Sequence, residues 1–262
     1  MLDIGGNSIA VLRRQGGAPG LFWLGGYRSE MTGSKASAID AWGERQGHAV
    51  TRFDYSGCGQ SGGVFSEASI SRWLAEALSV FATTEGPQIV IGSSMGGWLA
   101  LLLTRALRPR SESRVAGLIL IAPAVDMTQD LMRKGFTRKE LKALERDGFI
   151  GDPSDPEHRL TLAFIEDGAK HLLFGRGIET GCPVTILQGG RDRDVPKEHA
   201  LKLMQHLLTD PVSFTLIPDG DHRLSRIEDL QMLEGAVARM VGEIRSPSTL
   251  PVQRDLFEEP AK

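Results

Sequence analysis

A chain of 262 residues is long enough for one large domain or two small ones around a buried core. Hydrophobic residues make up 41% and charged residues 24%, as in ordinary soluble globular proteins, and the net charge of −3 disfavours a nucleic-acid partner. The two cysteines, Cys58 and Cys182, are not spaced as a metal-binding pair, and the sequence shows neither a signal peptide pattern nor an apolar run of ~18 residues. We therefore predict a cytoplasmic protein without a membrane partner.

The first third of the chain alternates between strand and helix patterns. Apolar and β-branched runs predict strands over residues 8–14, 20–26 and 49–53. A helix is predicted over residues 34–47, and a second over residues 70–82, where the apolar residues recur at helical spacing. Between the last strand and the second helix, residues 54–63 are too rich in glycine to be anything but a loop.

The remaining strands are apolar along their whole length. They are predicted over residues 89–91, 115–122, 184–188 and 213–217, with helices directly after residue 94 and over residues 197–208 and 227–244. Continuous apolar strands that alternate with helices are typical of a parallel sheet covered on both faces. We therefore expect an α/β fold with a mostly parallel central sheet.

One segment interrupts this alternation. Residues 127–177 carry no strand signal, and predict a charged helix over residues 137–147, a turn over residues 151–156 and a mixed helix over residues 159–170. Because ligands of open α/β sheets bind at the carboxyl ends of the strands, we interpret this insertion as a helical cap over a site. The α/β core would then comprise residues 1–126 and 178–245, followed by a flexible tail over residues 246–262.

Two serines lie in a Gly-x-Ser-x-Gly pattern, which alone is weak evidence for a nucleophile. Ser94 has an apolar strand before it and an apolar helix after it, as a nucleophile elbow requires. Ser61 lies in the glycine-rich loop, away from any strand end and with no apolar helix behind it. The sequence therefore predicts Ser94 as the nucleophile.

A serine hydroxyl needs a base, and the base needs an orienting acid. His222 follows the strand 213–217 in a short polar turn, on the sheet edge where Ser94 projects, and we predict that it is the base. Asp192 follows the strand 184–188 on the same edge and is the preferred acid, with Asp194 and Asp221 as the alternatives. The five other histidines lie in predicted helices, in the insertion or at the opposite edge: His48, His158, His171, His199 and His206.

The oxyanion of an acyl-transfer intermediate needs hydrogen-bond donors. The amide of Met95, directly after the nucleophile, provides one by the construction of the elbow. The loop after the strand 20–26 supplies the other, and the Gly25-Gly26 pair points to the amide of Tyr27.

Several stretches together form a recognisable pattern: residues 26–31 (Gly-Tyr-Arg-Ser-Glu-Met), 52–57 (Arg-Phe-Asp-Tyr-Ser-Gly), 92–99 (Gly-Ser-Ser-Met-Gly-Gly-Trp-Leu) and 221–223 (Asp-His-Arg). With them the chain resembles the α/β-hydrolase superfamily. Within it, the chain is similar to the family of mitochondrial palmitoyl-protein thioesterases, also described as mycophenolic acid acyl-glucuronide esterases, and to their bacterial relatives. The resemblance implies a triad of Ser94, Asp192 and His222, an oxyanion hole from Tyr27 and Met95, and no cofactor or metal.

The sequence thus predicts a serine hydrolase that cleaves carboxylic esters or thioesters through an acyl-enzyme. Its partner would be a small acyl substrate, with an acylated protein as a second candidate. Hydrolysis of a carbon–carbon bond or an amide by the same triad remains open, as does a catalytically silent ligand-binding relative. The cap, which varies most in this resemblance, would choose the substrate.

Overall fold

The computed structural model describes residues 1–108, 114–155 and 159–246. Within these ranges, one sheet is formed by seven strands: β3 (Val11–Arg14), β4 (Gly17–Leu24), β5 (His48–Phe53), β6 (Gln88–Ser93), β7 (Val115–Ile121), β10 (Val184–Gly189) and β11 (Val212–Ile217). Their spatial order is β11-β10-β7-β6-β4-β5-β3. All neighbouring pairs are parallel except β3 and β5, so the carboxyl ends of six strands meet at one edge.

Helices cover both faces of this sheet. They are α1 (Ser34–Gln46), α2 (Ile70–Ala82), α3 (Met95–Leu107), α7 (Lys197–His206) and α8 (Ile227–Arg245). Helices α2, α3 and α7 bury their apolar residues in a core on one face, and α1 and α8 do so on the other. The largely apolar strands β6, β7 and β10 are buried on both sides, which is why they show no alternation in the sequence.

The predicted fold class is confirmed, and most predicted elements are present with small shifts at their ends. The predicted strand over residues 8–14 is wrong in one respect. It is divided into β2 (Asn7–Ile9) and β3, and β2 pairs with β1 (Leu2–Ile4) in a separate hairpin. Ala10 stands between the two strands, and its amide donates a hydrogen bond to the Ser61 hydroxyl.

The segment between β7 and β10 contains short elements. A π-helical turn (Thr128–Met132) continues into α4 (Arg133–Gly135), and then come α5 (Arg138–Asp147), α6 (Leu162–Gly168) and a 3₁₀ turn (Ala169–His171). Two short antiparallel strands of two residues each, β8 (Phe149–Ile150) and β9 (Leu160–Thr161), lie between α5 and α6, where the sequence predicts no strand. The helix predicted over residues 159–170 therefore begins later, because residues 160 and 161 are extended.

Three predicted features extend outside the described residues. These are the end of the turn over residues 151–156, His158, and the tail after residue 246. Of the helices in the described part of the chain, none combines the length and the apolar character that a bilayer crossing requires.

Candidate active site

Ser94 lies at the carboxyl end of β6, the central strand of the sheet. Its backbone has φ +55° and ψ −118°, a strained conformation for a residue with a side chain. The turn is fixed by hydrogen bonds from the Ser94 amide to the Ile121 carbonyl and from the Ala124 amide to the Ser94 carbonyl, at 2.8 and 3.0 Å. This strand–turn–helix conformation holds the hydroxyl at the edge of the sheet.

Two glycines make the elbow sterically possible. A Cβ atom on Gly92 would collide with the carbonyl oxygen of Gly96, and a Cβ atom on Gly96 would collide with that of Leu24. Strand β6, helix α3 and the end of β4 can therefore approach closely only without these side chains. The Gly-x-Ser-x-Gly spacing follows from this contact.

His222 and Asp192 complete a hydrogen-bonded chain with Ser94. The Nε2 atom of His222 lies 3.1 Å from the Ser94 hydroxyl oxygen, and its Nδ1 atom lies 2.8 Å from Oδ2 of Asp192. The Asp192 side chain is fully buried, whereas 23% of the His222 side chain is exposed. The imidazole therefore connects a buried carboxylate to a hydroxyl beside solvent, the geometry that general-base activation of a serine requires.

The loop after β10 holds the Asp192 carboxylate in place. Its Oδ1 atom accepts hydrogen bonds from the amides of Asp194 and Val195, at 2.9 and 2.8 Å. Gln188, at the end of β10, donates from Nε2 to Asp192 Oδ2 at 3.3 Å and to the Val195 carbonyl at 3.0 Å. The sequence predicts no role in the site for Gln188. The pattern that could have indicated one is a polar residue at the end of a mostly apolar strand.

The alternatives to these residues have other contacts. Asp194 is exposed and its carboxylate lies near His222, but it is Asp192 that bonds His222 Nδ1. Asp221 accepts the amides of Arg223 and Leu224 within its turn. Ser61 donates its hydroxyl hydrogen to the Asp54 carbonyl at 2.6 Å, as expected of a structural loop residue. His199 bonds the Val125 carbonyl at 2.8 Å inside the core.

The predicted oxyanion donors lie beside Ser94. Met95 is the first residue of α3, so its amide has no acceptor within the helix. On the other side, a Cβ atom on Gly26 would come within 3.2 Å of the Ser93 carbonyl and 3.4 Å of the Ser94 Cβ, so the backbone before Tyr27 lies against the elbow. The Tyr27 ring itself packs against Phe65 and Phe164, at 5.3 and 5.4 Å between ring centroids.

A cavity of about 270 Å³ opens at this edge of the sheet. Ser94 and His222 line it together with Trp23, Tyr27, Lys35 and Arg223. A neighbouring cavity of about 440 Å³ lies along the loop of Ser61 and Cys58. Cys58 is buried, and burial raises the pKa of its thiol to about 12, so it is not a competing nucleophile at neutral pH.

One group of side chains in the described ranges brings three potential metal ligands within 4.8 Å of one another: Asp192, Asp194 and His222. Two of these residues are already joined through Nδ1 and Oδ2, and Oδ1 of Asp192 accepts two amides. The same atoms therefore serve the hydrogen-bonded chain to Ser94.

Comparison with known proteins shows the family to which the chain belongs. A family described as serine aminopeptidase, S33 (Hydrolase_4) matches residues 32–148. The mitochondrial palmitoyl-protein thioesterase ABHD10 of mouse is 36% identical over 233 residues, which are 86% of this chain and 76% of that protein. The chain belongs to the ABHD10 family of α/β hydrolases.

Solved structures lead to the same family. A hydrolase from Agrobacterium vitis S4 described as putative superimposes with a TM-score of 0.84 at 45% identity, covering 90% of this chain and 94% of that one. Mouse ABHD10 superimposes with a TM-score of 0.80 at 33% identity and the same coverage. The recognition of this family from the sequence is thus confirmed, and the protein is of hydrolase type.

The predicted cytoplasmic location is contradicted by these relatives. The ABHD10 proteins of mouse and human, the latter 31% identical over 242 residues, are both named as mitochondrial. The prediction rested on the two cysteines and on the lack of patterns typical of secreted and membrane proteins. Two buried free thiols suit the mitochondrial and the cytoplasmic compartment alike, so these observations could not distinguish the two.

Proposed function

We propose that this ABHD10-family protein is a serine hydrolase that cleaves carboxylic esters or thioesters through an acyl-enzyme on Ser94. The observation that carries the proposal is the continuous hydrogen-bonded chain from Ser94 through His222 to the buried carboxylate of Asp192. It lies beside a cavity at the carboxyl edge of the sheet, where open α/β sheets bind their ligands.

In the acylation step, His222 Nε2 accepts the proton of the Ser94 hydroxyl as the oxygen attacks the substrate carbonyl. The amides of Met95 and Tyr27 donate to the oxyanion that forms. The tetrahedral intermediate then collapses, the bond to the leaving group breaks, and His222 passes its proton to the departing oxygen or sulfur. Asp192 keeps the Nδ1 hydrogen in place and stabilises the imidazolium.

In the second step, water replaces the leaving group. His222 accepts a proton from the water as its oxygen attacks the acyl carbon, and the same amides stabilise the second oxyanion. Collapse releases the carboxylic acid and returns the proton to Ser94. No further reactant is needed, because water supplies both the hydroxyl and the proton.

We also propose that residues 127–177 form a cap between the two parts of the core, residues 1–126 and 178–245. The segment is closed at its base by Asp126, whose carboxylate accepts the amides of Leu173 and Phe174 at 2.8 and 2.9 Å. Its helix α6 brings the ring of Phe164 against the ring of Tyr27, the residue whose amide is a proposed oxyanion donor. This contact gives the segment a direct influence on the substrate cavity.

The substrate is proposed to be a small acyl ester or thioester, with an acylated protein as the second candidate. The name of the mouse relative, a palmitoyl-protein thioesterase, supports the thioester on a protein. Amide hydrolysis by the same residues is a second possible activity, which is favoured by the aminopeptidase description of the family matched over residues 32–148.

The proposal is tested by replacing the nucleophile. Ser94→Ala is expected to abolish turnover of p-nitrophenyl butyrate. The matched control Ser61→Ala should keep activity because the Ser61 hydroxyl bonds the backbone of Ala10 and Asp54 rather than the residues of the triad. Full activity in Ser94→Ala, with an unchanged melting temperature, would overturn the proposal. Parallel series of esters, thioesters and anilides of increasing acyl length then identify the bond and the chain that the protein prefers.

A further inference from the structure

Lys35 lies in the wall of the cavity that contains Ser94 and His222. Its side chain reaches from the first turn of α1 to the carbonyl of Arg223, the residue after His222, and donates a hydrogen bond to it. Within the described ranges, Lys35 forms no ion pair with a carboxylate. Burial, and then the neighbouring Arg223, lowers the pKa of Lys35 to about 8. A half-buried ammonium without an ion-pair partner among the described residues thus lies in the wall of this cavity.

The start of α1 adds positive potential to the same wall. The N-cap residue is Gly33, which provides no side chain to accept the first amides, and the first turn contains no acidic residue. Gly33, Ser34 and Ala36 line the cavity together with Lys35. The unpaired amides of a helix start and its macrodipole both favour an anion.

Trp23 provides an independent observation. The residue is only 4% exposed and lines the same cavity, and its buried indole Nε1–H has no hydrogen-bond partner in the part of the chain that the structure describes. An indole nitrogen can only donate, and a buried donor without an acceptor is costly. The wall of the cavity therefore contains the Lys35 ammonium and the start of α1, and beside them lies a buried indole donor without an acceptor among the described residues.

The acidic side chains around Lys35 are mostly engaged elsewhere. Asp229 is paired with Arg226, Asp192 bonds His222, and Asp221 accepts the amides of its own turn. Glu30 also lines the cavity, but its side chain is exposed to solvent. None of these four carboxylates lies within ion-pair distance of the Lys35 ammonium among the described contacts.

We propose that this cavity binds an anionic oxygen group of the substrate, such as a carboxylate, and that Lys35 is the residue that selects it. The proposal rests on the proposed function, because the anion is part of the molecule that Ser94 attacks. A structural reading competes with it: Lys35 holds the turn of His222 through the Arg223 carbonyl. The two readings differ in one respect, since a structural role affects charged and neutral substrates equally.

The test uses two pairs of esters that differ in charge. In the first pair the acyl part carries the charge, as mono-p-nitrophenyl glutarate against its methyl ester. In the second pair the leaving group carries it, as 4-carboxyphenyl butanoate against its methyl ester. kcat and KM are measured for the wild type, Lys35→Met and Lys35→Arg, with Lys170→Met as a control for the loss of an exposed lysine outside the cavity.

In at least one pair, Lys35→Met is expected to lower kcat/KM for the anionic ester about tenfold or more, mainly through KM, since a hydrogen bond to a charged group is lost. The neutral ester should change less than about twofold, and Lys35→Arg should restore most of the preference. The pair that responds identifies which side of the scissile bond carries the anion.

Equal losses for charged and neutral esters, or no loss in either pair, would overturn the proposal. If the wild type hydrolyses the neutral esters by a Ser94-dependent reaction, such a result leaves the proposed function standing. If no ester is hydrolysed at all, the proposed function fails, and the anion proposal fails with it.

Discussion

The Nε2 atom of His222 lies 3.1 Å from the hydroxyl oxygen of Ser94, although 128 residues separate the two in the chain. Two strands of the sheet, β7 and β10, lie between the strands that these residues follow. His222 reaches Ser94 because its turn folds back over the end of β10, where Asp192 meets it. The distance between His222 and Ser94 therefore depends on how the loops after β10 and β11 pack against each other.

Asp192→Asn tests the role of the acid. The amide is nearly isosteric, but its NH₂ group faces His222 Nδ1 and favours the wrong tautomer. We expect kcat to fall by about 10³- to 10⁴-fold for a neutral ester, as known for the serine-protease triad. Steady-state kinetics together with circular dichroism of the folded variant provide the measurement. Activity within about tenfold of the wild type would exclude Asp192 as the orienting acid.

Gly189→Ala tests the packing that brings the loops together. A Cβ atom at this position would lie 2.6 Å from the carbonyl oxygens of Gly220 and Asp221, so the turn before His222 would have to move. We expect kcat to fall in the Gly189→Ala variant even at a temperature well below its melting temperature, where the variant is fully folded.

The matched control for this glycine is Gly235→Ala in α8. Nothing lies within 4 Å of a Cβ atom there, and alanine is the better helix former by about 1 kcal/mol. The control should therefore keep its activity and gain stability. Equal kinetics in Gly189→Ala and the wild type would show that the His222 turn tolerates the displacement.

Glu76→Gln tests a buried carboxyl group in α2. Glu76 is 1% exposed and accepts the Ser56 amide at 2.9 Å, and its burial raises the carboxyl pKa. The folded protein therefore holds this proton to a higher pH than the unfolded chain, so Glu76 costs stability as the pH rises. The glutamine variant should be more stable by about 1 kcal/mol near pH 8, with a smaller gain near pH 5. Urea unfolding at both pH values measures the difference, and a gain that grows toward acid pH would contradict it.

The pH dependence of charge preference tests the ammonium of Lys35. Its lowered pKa of about 8 means that it is charged below this value and neutral above it. The ratio of kcat/KM for the anionic ester to that for its neutral partner should therefore fall from about pH 7 to about pH 9. In Lys35→Arg the guanidinium stays charged, and the ratio should stay nearly constant.

The other charged groups near Lys35 do not produce the same change. Asp192, Asp221 and Asp229 act on it through space, and Glu30 lines the cavity, but all four are unchanged in Lys35→Arg. His222 serves as the base for both esters of a pair, so its contribution cancels in the ratio, and Arg223 is the same in both proteins. A ratio that falls equally in the wild type and in Lys35→Arg would assign the change to another group.

The sequence predicted the central part of the fold because local patterns and burial agree there. Helix α2 shows its apolar stripe in the chain, and its members Trp73 and Phe81 are buried in the core. Strands β6 and β7 are continuous apolar runs because both of their faces are covered. The hairpin of β8 and β9 could not be read in this way, since each strand has two residues and neither is fully buried.

Some of the residues around Ser94 could likewise be predicted from the sequence, and others could not. Asp192 and His222 follow strand ends, so their meeting at one sheet edge could be inferred from topology. Lys35 resembles any lysine in a helix, and only the folded chain brings it to the Arg223 carbonyl, 188 residues away. Trp23 reads as an apolar strand residue, and its unpartnered indole nitrogen becomes visible only in the packed structure.

The most direct test of the central claim is the site of covalent labelling. The protein is treated with a fluorophosphonate, digested, and the modified residue is located by tandem mass spectrometry, with Asp192→Asn and Ser61→Ala in parallel. We predict one adduct on Ser94, formed much more slowly in Asp192→Asn and at the normal rate in Ser61→Ala. An adduct on another residue, or none in a folded protein under conditions that label a known serine esterase, would contradict the account.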